Sequence, residues 1–170
     1  MAFTQRSLPK TVFAALLLGL GGWAWWLSSL PKALTLGDGS RVYFHGIVDS
    51  RHAPGADQTR DVAVNGEALF EVAAGTGPFR VHTHLLLLTV NGEAAFKVTS
   101  YDAKAGGEVQ VLRGVVLARK TYRSPSPASE TISAGEMVMV NQTIDLLEKE
   151  KDDTAETAAW AAKIQSDARP

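Results

Sequence analysis

The chain has 170 residues, is 45% apolar, carries a formal net charge of −1 at pH 7 and contains no cysteine. That length suits one domain with a tail or an anchor. The charge balance lacks the basic footprint of a nucleic-acid binder, and the missing thiols exclude disulfides, thiolate metal clusters, cysteine nucleophiles and lipid attachment through Cys.

Residues 1–11 include Arg6 and Lys10 and precede an uncharged, apolar stretch at 12–30. Nineteen residues at the helical rise span about 28 Å, close to the roughly 30 Å hydrocarbon core of a bilayer. The basic flank predicts a cytoplasmic N-terminus, and Trp23, Trp25 and Trp26 suit the outer interface. Ser28, Ser29, Leu30 and Pro31 make a poor signal-peptidase site. An uncleaved signal anchor is therefore expected: a single-pass protein of the inner membrane, its C-terminal domain in the periplasm. Gly19 and Gly22 with Ala15 approximate the small-residue spacing of packed membrane helices.

Residues 34–141 read as a β-domain. Period-two alternation predicts strands at 41–44, 61–64, 67–72, 79–82, 86–90, 95–101, 109–112, 115–119 and 137–141, separated by Gly and Asn turns. Residues 51–59 and 123–129 read as loops. One phrase recurs. Residues 64–72 are V-N-G-E-A-L-F-E-V, and residues 90–98 are V-N-G-E-A-A-F-K-V. Looser copies around them place glycines at Gly39, Gly66, Gly92, Gly114 and Gly135, spaced by 27, 26, 22 and 21 residues. A glycine tolerates positive φ or close backbone approach, and the alternation after it puts Phe70 with Val72, and Phe96 with Val98, on one face. Each copy is then a turn followed by a strand whose apolar face needs a neighbour. A period in the twenties predicts a twisted, solenoid-like stack of such units.

Residues 142–170 change character. They are charge-dense and then alanine-rich, and Asp153 with Glu156 resembles a capping box. A short C-terminal helix is expected, with Trp160 and Ile164 able to rest on the β-domain.

Five phrases in order resemble the FecR domain of FecR/PupR-type transmembrane anti-sigma factors and sigma regulators. Leu34 to Val42 resembles the opening L-x-D-G-S-x-V, and Gly66 to Val72 the G-E-A-x-F-x-V core, with Pro78-Phe79-Arg80-Val81 after it. Val90 to Val98 stands at V-x-G-T-x-F-x-V, Val109 to Val116 at V-x-V-L-x-G-x-V, and Ile132 to Val140 at the closing L-x-x-G-E-x-V-x-V. The resemblance spans roughly 34–141. It implies a twisted solenoid-like β-domain without enzymatic activity, carrying signals for iron-transport regulation from a TonB-dependent transporter to an ECF sigma factor. Only residues 1–11 precede the apolar stretch, so the expectation is a chain without its own sigma-gripping module. It would act beside a complete FecR-type regulator or another partner. Trp160 stands where the family's receptor-facing continuation often begins. The alternative is a periplasmic interaction or scaffold module that reuses the fold without sigma-factor regulation.

Catalytic and ligand-binding patterns are weak. His82 and His84 share a strand face at a spacing compatible with a metal, but a third ligand from His45, His52 or a carboxylate is not brought near, so surface histidines are the simpler reading. Glu67, Glu93 and Glu136 follow turn glycines, which argues for turn positioning above paired-carboxylate hydrolysis. No nucleophile elbow, Walker loop or H-E-x-x-H is present. No enzyme, cofactor, metal or small-molecule substrate is expected. The run Leu85-Leu86-Leu87-Leu88 is either a strand buried in the core or an exposed apolar edge for a protein partner.

Overall fold

The computed structural model describes residues 30–52, 60–125 and 129–168. Eleven strands and one helix follow in chain order: β1 (Lys32–Thr35), β2 (Arg41–His52), β3 (Arg60–Val72), β4 (Phe79–His82), β5 (Leu86–Val90), β6 (Ala94–Ser100), β7 (Gly106–Arg113), β8 (Val115–Lys120), β9 (Ser129–Ser133), β10 (Glu136–Asn141), β11 (Leu146–Lys151) and α1 (Thr154–Asp167).

All eleven strands join one sheet, and that sheet forks at the β2–β3 hairpin. The first half of β3 pairs with β4 in parallel, from Arg60↔Phe79 to Ala63↔His82, and its second half pairs antiparallel with β6, from Gly66↔Ser100 to Val72↔Ala94. Two wings result. The first runs from β3 through β6, β7 and β10 to β11, and the second through β4, β5 and β8 to β9. The fork lies at a facing pair of glycines, Gly46 and Gly66, with φ of 108° and 142°. A Cβ on Gly46 would stand 2.5 Å from the Asn65 carbonyl oxygen, and one on Gly66 would collide with that of His45. Only glycine permits the two backbones to approach so closely where the long hairpin bends from one wing into the other.

Period-two alternation runs unbroken through the bend, so Val62, Val64, Ala68, Phe70 and Val72 all face inward. They meet Val81, Leu88, Phe96, Val98, Val111, Val116 and Ile132 from both wings in one core. Phe70 sits at its centre, stacked on Phe96 at 5.1 Å between centroids and edge-on to Phe79 at 6.1 Å. Such pairs add about 0.5–1.5 kcal/mol beyond their burial.

The far strands of the wings come together, β9 lying against β7, β10 and β11, so the sheet is nearly closed and barrel-like. Lys120, at the end of β8, points inward with a side chain only 3% exposed. Its ammonium donates to Asp145 Oδ1 at 2.7 Å, to the Asp145 carbonyl at 3.0 Å and to Ser124 Oγ at 3.2 Å. Asp145 belongs to the turn before β11, so this buried pair ties the second wing to the first. Lys149 on β11 repeats the connection, donating to the Thr131 carbonyl of β9 at 3.3 Å.

The expected solenoid does not form. In a solenoid, equivalent positions of successive copies stack in parallel; here the two V-N-G-E-A phrases run antiparallel, with Phe70 opposite Phe96 and Ala68 opposite Val98. The phrase also serves two different local structures: Gly66 lies inside β3, while Gly92 lies in the turn between β5 and β6. Shared sequence reflects a shared inward-facing pattern, not a repeated unit. No helix among the described residues is long and apolar enough to cross a membrane; the span expected at 12–30 lies outside the described residues except for Leu30. The charge-dense start of the expected tail is a strand, β11, in full register with β10 from Glu136↔Lys151 to Asn141↔Leu146. An edge strand buries neither face fully, so its four charged residues are tolerated there.

The helix α1 begins as its sequence suggests, with the Asp153 side chain accepting from the Ala155 N–H at 3.1 Å. Its Ala161 and Ile164 are buried against Leu69, with Tyr43, Leu112 and Trp160 around them. It therefore roofs the outer face of the first wing.

Candidate functional site

A groove of about 710 Å³ lies beside the fork and is lined by Ile47, Asp49, Asp61, Asn65, His82, His84 and Asp102, among others. Its two histidines do not converge. His82 ends β4 and faces Asp61, Nε2 to Oδ1 at 3.3 Å. His84 lies beyond the strand. Its Nε2 donates to the Lys104 carbonyl at 2.7 Å, and its Nδ1 lies 3.2 Å from Ser100 Oγ and 3.7 Å from Asp102 Oδ1. Asp102 is held by Asn65, whose Nδ2 donates to Oδ2 at 2.7 Å while Oδ1 accepts from the Asp102 N–H at 3.2 Å. These bonds pin the 101–105 loop to the fork. Among the described residues, no three His, Asp or Glu side chains converge as a metal site would require.

The three carboxylates that follow glycines sit in local ion pairs, Glu67 with Lys97 at 3.0 Å, Glu93 with Arg113 at 2.9 Å and Glu136 with Lys149 at 3.4 Å. Glu136 also accepts the Ser133 N–H at 2.8 Å, and this backbone bond is the main reason its carboxyl is held below the ordinary value, with Lys149 adding to the effect. Among the five singled-out glycines, Gly39, Gly114 and Gly135 have φ of 86°, 82° and 83° in turns before β2, β8 and β10. Gly114 is the most constrained of these, since a Cβ there would collide with the Glu93 carbonyl and meet Ala94 at 2.9 Å.

The opening L-x-D-G-S phrase builds a polar staple. Ser40 is fully buried; its hydroxyl donates to Asp38 Oδ2 at 2.7 Å and accepts the Ala73 N–H at 3.0 Å. Arg60 pairs with Asp38, reaches the Gly77 carbonyl at 3.4 Å and lies 5.3 Å from the Phe79 ring centroid. The motif thus fastens the β1–β2 turn to the 73–78 loop. It is architecture.

The leucine run is not a partner edge. Leu85, Leu86 and Leu88 are at most 2% exposed, and β5 is paired on both sides, by β4 and β8. An interior strand has no free backbone groups to offer. Leu87 alone turns outward.

The two outer faces differ in cover and in charge. Under α1, Lys97 is paired with Glu67 and lies 4.4 Å from the Trp160 ring centroid, and Gln165 of the helix donates to Glu71 at 2.9 Å. Over the second wing no described element packs. That face carries Arg80, His82, Leu87, Thr89, Leu117 and Arg119 around a shallow groove of about 380 Å³. Val115 and Leu117 are 52% and 40% exposed. Sequence reasoning missed this face because its apolar residues alternate with polar ones, as in any half-buried strand.

With this geometry in view, solved structures supply a likeness. Two crystal structures of a candidate anti-sigma factor from Parabacteroides distasonis ATCC 8503 superpose with TM-scores of 0.66 and 0.67. Identity is 27% and 26%, over 78% of this chain in each case. The chain is similar to a regulator. It spans 61% of the length of that protein. No family model matches the chain, and no curated protein matches it.

Proposed function

We propose that this chain is a regulatory, non-catalytic module of sigma-factor signalling that works through protein contacts. The observation that carries the reading is the likeness to the P. distasonis candidate anti-sigma factor across 78% of the chain. Two features of the molecule support it. The phrases that resemble the FecR domain make core strands, supply Asp38 and Ser40 of the staple and place Gly66 at the bend. The carboxylates and histidines best suited to chemistry are occupied in structural bonds.

The finer reading is a FecR-type periplasmic domain that modulates an ECF sigma-factor system fed by a TonB-dependent transporter. Its placement at the inner membrane rests on the sequence of residues 12–30 and their basic flank. A reporter driven by the cognate sigma factor, read with the full chain deleted, restored and overexpressed, tests the function. The expected result is a several-fold change in output that follows the dose of the chain. Unchanged output at every dose, with cross-linking that recovers only cell-wall and envelope proteins, overturns the proposal in favour of a scaffold.

A further inference from the structure

We infer that the open outer face of the second wing docks an acidic amphipathic helix of a protein partner. The claim extends the proposed function by naming the partner's chemistry, but it stands on the surface itself.

The face lies in the middle of a sheet. Its strands β4, β5 and β8 are already paired with one another, so strand addition has no backbone to use and side-chain packing is the mode available. Cross-strand register fixes the pattern. Leu87 lies between His82 and Arg119, and Thr89 lies between Arg80 and Leu117. An apolar floor of Leu87 and Leu117 therefore runs along β5 and β8, with one arginine on each side. Adjacent strands are about 4.8 Å apart, so β4 and β8 are separated by about 9.6 Å. That matches a helix of about 10 Å diameter lying along β5, flanked by both guanidiniums.

Charge selects the helix. Neither Arg80 nor Arg119 has a carboxylate partner among the described residues, and the outward positions of β4, β5, β8 and β9 include no Asp or Glu. Asp61 of β3, opposite Arg80 in the register, bonds instead to His82 at 3.3 Å. Guanidiniums prefer planar, two-toothed pairing with carboxylates, so a helix with Leu-type residues in its stripe and Glu or Asp on both flanks complements the surface. The molecule contains the same mode of cover on its other face, where α1 packs on Leu69 and Leu112 with Gln165 bonded to Glu71. That face presents Glu67 and Glu71 together with Lys97, whereas the open face presents Arg80 and Arg119, so carboxylates on its occupant complement it.

The test is site-specific photo-crosslinking in cells, with a photoreactive amino acid replacing Leu117 in the full chain and adducts mapped by mass spectrometry. The expected adduct is a partner segment of helical periodicity with acidic flanks, its yield falling about tenfold in the Arg80→Glu/Arg119→Glu double variant. Restoration of the adduct when the partner's acidic residues are reversed to Lys would complete the case. Adducts to lipid, to a second copy of this chain or to a segment without acidic flanks overturn the inference, as does the absence of any adduct. The double variant's thermal midpoint checks that the fold persists, since both side chains are on the surface. An acidic-helix adduct with a flat sigma reporter would support the surface and sink the regulatory reading; a responsive reporter without the adduct would do the reverse.

Discussion

The two wings are built from the same kind of strand, yet a described element covers one and none of the described elements covers the other. In the first, α1 buries Leu69, Ala161 and Ile164, and Lys97, Glu67 and Glu71 find partners. In the second, Leu117 and Val115 are exposed, and Arg80 and Arg119 have no carboxylate partner among the described residues. Identical inward patterns therefore leave the outer faces free to diverge. Stability resides in the shared interior; recognition is left to the outside.

Separating the wings is the most severe way to break this comparison. Lys120→Met removes the ammonium that joins β8 to the turn before β11, while Ser124 Oγ still donates to the Asp145 carboxylate at 2.6 Å. Breaking a buried pair from one side costs about 3 kcal/mol, which equilibrium urea unfolding would show as a lowered midpoint. Burial opposes the charge on Lys120, but the hydrogen bond and attraction from Asp145 outweigh it and hold the ammonium above its ordinary value. With a raised folded value, the pair's contribution is complete below the unfolded value and is lost as pH rises through the folded one. The cost of the substitution should thus hold across neutral pH and shrink only in strong alkali.

A milder change makes the first wing resemble the second. Trp160→Ala loosens the roof without touching the inner core, and burial of part of an indole is worth about 1–2 kcal/mol. Hydrogen exchange should rise in α1 while β4, β5 and β8 keep their protection. Equal loss of protection in both wings would show that the roof supports the whole fold.

The smallest effect concerns Glu108 on β7. Burial raises its carboxyl above the ordinary value, helped by Asp152 and Glu67 and opposed by Lys97. Because the folded value is raised, this group's contribution is best below the unfolded value and is lost as pH rises through the folded one. Glu108→Gln is therefore expected to raise the thermal midpoint at pH 7 by about 1–2 °C, with the advantage vanishing near pH 4. A constant difference across that range would assign the gain to packing.

Strand-level structure was legible because alternation is local: residues 79–82 and 86–90 were predicted as β4 and β5 with their bounds intact. Legibility failed where charge hid a strand. The run of residues in β11 reads as solvated tail, yet β10 supplies a full ladder for it. Gly66 shows the other failure. Its N-G-E context matches that of Gly92 residue for residue, and nothing local says that one bends a strand while the other turns a hairpin. Gly46, its partner across the fork, belongs to no motif and was not singled out. The leucine run shows the same limit, since a short apolar stretch fits a covered strand and an exposed one equally well until its neighbours are known.

Taken alone, the sequence determined that this region is β-rich, which residues turn inward, where Asp153 starts a helix and that the FecR-like phrases come in order. Those properties depend on side-chain period, capping and backbone sterics within a few residues. Only tertiary structure decided that the phrases pair antiparallel, that β3 divides its partners between two wings, that Lys120 joins them and that α1 covers one outer face while no described element covers the other. Each of these depends on contacts between residues distant in the chain, and local preference is indifferent to which distant partner closes them.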